Sequence, residues 1–138
     1  MILVDTSVLI DYLKGTENTK SELFQEILDR DLPFGITKLI FLEVLHGSKT
    51  EQELDLLKDY LISIPLYDLV NYEDSYPRAA LINITCRKTG ITIRSTIDLL
   101  IAVTAIENDV GLLHNDRDFD NIASVIPELK IVRRLDFN

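Results

Sequence analysis

An α/β fold built on a parallel sheet is what this 138-residue sequence predicts, on three observations. Short apolar runs of strand length alternate along the chain with longer stretches whose apolar residues recur at helical spacing. That alternation puts a helix between successive strands, which is how parallel strands are connected. No internal repeat, low-complexity run or Gly/Ser linker breaks the pattern, and the prolines at 33, 65, 77 and 127 are dispersed. One domain spanning residues 1–138 is therefore expected.

The elements follow in order. Residues 2–4 (Ile-Leu-Val) form an apolar run ending in Asp-Thr-Ser, which reads as a buried strand running into a helix start. A short helix over 8–13 stops at Gly15, and residues 17–30 carry Leu23, Phe24, Ile27 and Leu28 at helical spacing. A short strand is expected at 33–36, then helices over 38–46, ending at Gly47, and 51–61. Residues 63–67 form a further strand candidate, placed at an edge or strand end by Pro65. A long helix over 73–89 tolerates Pro77 only near its first turn and stops at Gly90. A helix over 95–108, a strand over 111–114, a short helix over 118–124 and a last strand at 131–132 complete the chain.

Composition narrows the function classes. The formal charge is −9, which argues against a broad basic footprint for nucleic acid. It suits a site that gathers carboxylates around cations, or a basic protein partner. Cys86 is the sole cysteine, so an intrachain disulfide and CxxC-type zinc sites are excluded, and a packing role in a reducing cytosol is expected. The N-terminus lacks the basic start and apolar centre of a signal peptide, and no apolar stretch reaches the roughly 18 residues that cross a bilayer. A cytoplasmic protein without membrane attachment is the expectation.

Acids at four places in the chain stand where they are unfavourable. Asp5 ends the first apolar strand, at the carboxyl edge where open α/β sheets bind ligands, though it also suits an N-cap. Glu43 lies within Leu-Ile-Phe-Leu-Glu-Val-Leu, on or beside the apolar face of its helix, where an ionised carboxylate is costly unless paired or metal-bound. Asp98 follows Ser95 in a capping-box pattern, Ser-Thr-Ile-Asp. Asp116 and Asp118 follow the strand at 111–114 within His-Asn-Asp-Arg-Asp-Phe-Asp, where an acidic turn and cap are the alternative; Asn115 lies close enough to reach a metal-bound water. Two strand ends and two helices thus bring carboxylates towards one sheet edge. Crowded anions repel, and hard divalent cations with oxygen ligands relieve that repulsion. With no His or Cys in the set, Mg²⁺ or Mn²⁺ is favoured over zinc. Such a site suits phosphodiester hydrolysis by a metal-bound water.

These residues carry a resemblance to the PIN-domain family. Met-Ile-Leu-Val-Asp5-Thr-Ser-Val-Leu-Ile-Asp11 resembles the family's opening motif. Glu43 in Phe-Leu-Glu-Val-Leu-His-Gly, Asp98 in Asp-Leu-Leu-Ile-Ala, and Asn-Asp116-Arg-Asp118-Phe resemble the remaining acidic motifs, in order and across nearly the whole chain. The resemblance implies a three-layer α/β/α sandwich with a central, mainly parallel sheet. It implies that Asp5, Glu43, Asp98 and Asp116, with Asp118 contributing, bind one or two Mg²⁺ or Mn²⁺ ions. Thr6 and Ser7 match the hydroxyl residues after the first Asp, with Ser7 the choice for a supporting hydrogen bond. The compact length is similar to VapC-type toxins of toxin–antitoxin pairs. It implies an endoribonuclease acting on tRNA or ribosomal RNA, a VapB-type antitoxin whose tail blocks the acidic groove, and a homodimer. Lys14, Arg87, Lys88, Arg94 and Arg117 are candidates by position for RNA contact, with Lys14, Arg94 and Arg117 foremost. For Tyr72 and Tyr76 the alternatives are stacking on bases and, as their helical spacing leads one to expect, packing against the fold.

Two other classes fit less well. A phospho-acceptor receiver domain would carry an adjacent acidic pair after the first strand, and a haloacid-dehalogenase-like phosphatase would carry Asp-x-Asp there, but Asp5 is followed by Thr6 and Ser7. A non-catalytic PIN-like interaction module is the remaining alternative; loss of one or more acids would be its sign.

Overall fold

Leu3 and Val4 point to opposite faces of the first strand, yet neither has any solvent exposure, so the sheet is covered on both sides. The computed structural model describes residues 1–135. Its three strands are β1 (Ile2–Val4), β2 (Phe34–Gly35) and β3 (Gly111–Leu113). Its helices are α1 (Thr6–Leu13), α2 (Thr19–Asp29), α3 (Lys38–His46), α4 (Glu51–Leu61), α5 (Ser75–Lys88), α6 (Thr96–Glu107) and α7 (Arg117–Val125), with a single 3₁₀ turn, Tyr72–Asp74, leading into α5.

The sheet order is β2-β1-β3 and both pairings are parallel, with Leu3 opposite Gly35 on one side and Leu112 on the other. The strands expected at 63–67 and 131–132 reduce to isolated parallel bridges, Leu66 to Ile36 and Ile131 to Leu112. The cause is the brevity of the inner strands: each edge segment meets only one register position. Around Ile36 the contact is two hydrogen bonds, its N–H to the Pro65 carbonyl (3.0 Å) and its carbonyl from the Tyr67 N–H (2.8 Å). Approach at both edges is close enough to require glycine. A Cβ on Gly35 would lie 2.7 Å from the Tyr67 ring, and one on Gly111 would lie 2.7 Å from a Val132 methyl.

The helices pack as two groups. On one side α1 lies against α2 and α3, and α3 against α4; on the other, α5, α6 and α7 pack on one another. With a sheet buried on both faces, this is the expected three-layer α/β/α arrangement. Leu3, Val4, Leu112 and Leu113 of the sheet, Phe24 and Ile27 of α2, and Ile101 of α6 lie in its core. Truncating a fully buried leucine there to alanine costs about 2–5 kcal/mol. Cys86 is buried among these side chains. Helix bounds shift from expectation by a few residues for identifiable reasons. Asp5 caps α1, so the helix starts at Thr6 rather than residue 8, and Asn18 builds a reciprocal capping box with Ser21, so α2 starts at Thr19. Among the described residues no helix is long and apolar enough to cross a membrane.

Because the strands are parallel, their carboxyl ends share one edge. β1 runs there into Asp5, β2 leads through Thr37 into α3, and β3 leads into His114 and the start of α7. This is the edge at which open parallel sheets expose ligand-binding turns.

Candidate metal centre

Asp5 is the N-cap of α1. One carboxylate oxygen accepts the Ser7 N–H at 3.1 Å and the Ser7 hydroxyl at 2.7 Å, while its own N–H is tied to the Leu113 carbonyl at 2.9 Å. Capping and placement at the sheet edge are thus one geometry. Asp5 is only 5% exposed. Burial pushes its pKa up to about 6, against the pull of the Ser7 hydrogen bonds and with a further push from the charge of Glu43.

Glu43 sits in the second turn of α3, half-buried, and accepts the Thr6 hydroxyl at 2.9 Å. The hydroxyls that follow Asp5 therefore divide their work: Ser7 binds back to Asp5 and Thr6 reaches across to Glu43. Ser7 Oγ also accepts the Asn115 N–H at 2.9 Å, coupling the turn after β1 to the turn after β3. The Asn115 amide donates to Asp11 at 3.1 Å, as does that of Asn18 at 3.0 Å. Asn115 thus braces the site's rim through Asp11.

Asp98, Asp116 and Asp118 come together most tightly: each offers a carboxylate oxygen within 4.8 Å of the other two. Asp116 is the N-cap of α7 and accepts the Asp118 N–H at 3.0 Å. Asp98 lies in the first turn of α6. The capping box expected with Ser95 does not form. Ser95 holds the N-cap position without a side-chain cap bond, and Asp98 stands with the two aspartates of α7 instead. No hydrogen bond or ion pair reaches its carboxylate among the described residues. Burial first, then the charges of Asp5, Asp116, Glu43 and Asp118, push its pKa up to about 7. All five acids therefore act within one electrostatic neighbourhood.

The N-termini of α1, α6 and α7 all open onto this neighbourhood, and their dipoles favour negative charge there. They do not cancel it, as the raised values of Asp5 and Asp98 record. The donor set suits a hard divalent cation. It is wholly oxygen, and octahedral ligands at about 2.1 Å stand roughly 3–4.2 Å apart, a closure that small side-chain rotations from the observed spacing supply.

The basic candidates are less concentrated. Arg94, on the segment before α6, lies 3.5 Å from Asp118, although its side chain is 68% exposed. Lys14 and Arg117 are exposed at the end of α1 and the start of α7. Tyr72 and Tyr76 do not pack into the fold as expected: they are 79% and 56% exposed. The 3₁₀ turn breaks the helical register that would have carried Tyr72 inward, and it sits there at φ 53°.

His114 is the residue that sequence reasoning missed. It is 2% exposed, and its Nδ1 accepts the Asp116 N–H at 3.0 Å. Burial holds its pKa below the ordinary value despite the nearby charge of Asp120. The one available signal was a histidine closing an otherwise apolar strand two residues before an acid.

The chain is similar to known proteins. Residues 2–125 match the family model of the PIN domain. The chain is 31% identical over 129 residues to ribonuclease VapC11 of Mycobacterium tuberculosis, covering 91% of this chain and 93% of that protein. The same identity and coverage hold for VapC ribonuclease Mb1587 of Mycobacterium bovis. Among solved structures, a chain of the VapBC2 complex of Rickettsia felis, bound to a promoter DNA fragment, is similar with a TM-score of 0.72 at 20% identity, over 96% of this chain and 98% of that one.

Proposed function

The chain belongs to the PIN-domain family, with VapC ribonucleases among its relatives, and on that premise we propose that it is a metal-dependent endoribonuclease, the toxin of a type II toxin–antitoxin pair. The observation that carries this reading is the convergence of Asp98, Asp116 and Asp118 at the carboxyl edge of the sheet, beside Asp5 and Glu43.

In this reading Asp98, Asp116 and Asp118 hold the first of one or two Mg²⁺ or Mn²⁺ ions, and Asp5 and Glu43 complete the set. The bound ion supplies a water of lowered pKa and neutralises charge at the scissile phosphate. Ser7 fixes the Asp5 carboxylate, Thr6 fixes that of Glu43, and Asn115 ties the two turns together. Arg94, Arg117 and Lys14 meet the RNA backbone as it approaches; for Arg94 the 3.5 Å approach to Asp118 supports this reading. A single nuclease domain acting in the cytoplasm on tRNA or ribosomal RNA, paired as a homodimer, fits the family. A VapB-type antitoxin with a basic segment fits the charge of −9.

The test is cleavage of total tRNA by purified protein in Mg²⁺, Mn²⁺ or EDTA, with Asp98→Asn alongside. Discrete metal-dependent cuts that vanish in the variant are expected. Metal-independent cutting, or cutting that survives the substitution, would refute the assignment. Failure to cut together with failure to bind Mn²⁺ would leave the non-catalytic interaction module.

A further inference from the structure

The turn that presents Asp116 and Asp118 leans on a buried polar ring. Nδ1 of His114 accepts the main-chain N–H of Asp116 at 3.0 Å, which leaves the ring proton of the neutral imidazole on Nε2. Nε2 lies 3.3 Å from Oδ1 of Asp120, yet off the line a hydrogen bond needs. Asp120 is in turn held by Arg133 at 3.2 Å. The ring packs 5.1 Å from that of Phe119, which is wholly buried. An apolar side chain of this size would fill the space without desolvating two ring nitrogens, so a polar ring here needs a polar reason. That reason is the Asp116 N–H. Asp116 is an N-cap, so its N–H lies outside the helix ladder, and its carboxylate is already fixed by the Asp118 N–H.

We propose that His114 is a positioning residue of the metal site: by holding the Asp116 main chain it sets the direction in which Asp116 and Asp118 present their carboxylates. Asp120, itself paired with Arg133, lies behind the imidazole. The role rests on the reading of the acidic edge as a divalent-cation site and names the support that site depends on. A residue that orients metal ligands through hydrogen bonds typically controls 10–100-fold in metal affinity.

The test is Mn²⁺ titration by calorimetry, with metal-free melting as the fold control. His114→Leu removes the acceptor and is expected to weaken Mn²⁺ binding by about 10–100-fold while still melting cooperatively. His114→Asn places an amide oxygen where Nδ1 stands and is expected to restore most of the affinity, which a merely space-filling role would not do. Should the leucine variant fail to fold, His114→Gln takes its place, since its amide lies one bond too far out to meet the Asp116 N–H. Unchanged binding in the variant lacking the acceptor would overturn the proposal. So would an asparagine variant no better than leucine. If the unsubstituted protein binds no Mn²⁺ at all, the metal reading itself fails and the proposal with it, a result distinguished by all variants behaving alike.

Discussion

Helix α6 carries a carboxylate at each end, and the two ends are treated in opposite ways. Glu107 closes the helix, where the dipole disfavours negative charge. Burial alone would raise its pKa, but the N–H groups of Val70 and Asn71, the Asn71 amide and the Ser75 hydroxyl all donate to it and together hold it below its ordinary value. Asp98 opens the helix, where the dipole favours it, yet its pKa is pushed up to about 7 by burial and by four neighbouring acids. Local helix electrostatics alone would have ranked the two the other way round. Glu107 is a structural carboxylate, satisfied by donors that staple the entry of α5 onto α6. Asp98 is left short of partners in the company of like charges, which marks it as a functional-site candidate.

The sharpest way to break this comparison is to neutralise each end. Asp98→Asn, or Asp5→Asn, is expected to abolish RNA hydrolysis while leaving the fold intact, a loss beyond the roughly hundredfold that disturbing a ligand's support costs. Glu107→Ala is expected to do the reverse, keeping cleavage while lowering stability by about 1–3 kcal/mol through its unpaired donors; urea melts and the same cleavage assay read both. Equal loss of activity in the two variants would erase the distinction between the ends.

Within the acidic edge, Asp116→Ala is expected to reduce cleavage more than Asp120→Ala. Asp116 has its oxygens in the cluster, whereas Asp120 faces His114 and Arg133. The reverse order in measured cleavage rates would move the site one turn along α7.

A further effect is in pH. Asp5 and Asp98 are raised from 3.8 to about 6 and about 7, so the folded chain holds protons that the unfolded chain has released. The contribution of these two carboxyls to metal-free stability should therefore be fully present below about pH 4 and be lost as pH rises through these values. Buried His114, its pKa lowered, contributes with the opposite sign. Glu107, lowered, also contributes with the opposite sign: its stabilisation is present above its unfolded pKa and is lost as pH falls through its folded value. In EDTA, Asp98→Asn should flatten the decline between about pH 5 and 7; an unchanged slope would mean that Asp98 carries little of the repulsion.

The sequence made the inner sheet and the acids conspicuous because both break local expectation. Residues 2–4 and 111–113 are apolar on both faces, which only a doubly covered strand permits. Glu43 interrupts an apolar helix face, and a carboxylate there demands a partner, which turned out to be Thr6. What stayed hidden depended on tertiary contact. The segments at 63–67 and 131–132 read as strands, but a strand's extent is set by its neighbour, and β2 offers only two residues. Ser95 and Asp98 spelled a capping box, yet no side-chain cap bond forms and Asp98 stands with Asp116 and Asp118 of α7. Tyr72 had helical spacing on a segment that became a 3₁₀ turn. His114 offered only its place at the end of an apolar strand, since its importance lies in one main-chain N–H that only the folded turn brings to its ring.

The central claim, that the acids gathered at the sheet edge form a divalent-cation site, is tested most directly by thermal melting at pH 7 with increasing Mn²⁺, comparing the unsubstituted protein with Asp98→Asn. A ligand of the native state adds RT ln(1 + [L]/Kd), about 2.7 kcal/mol at a hundredfold excess over Kd. The account predicts a saturating rise in Tm for the unsubstituted protein and little or none for the variant. No rise, or an equal rise in both, would contradict it.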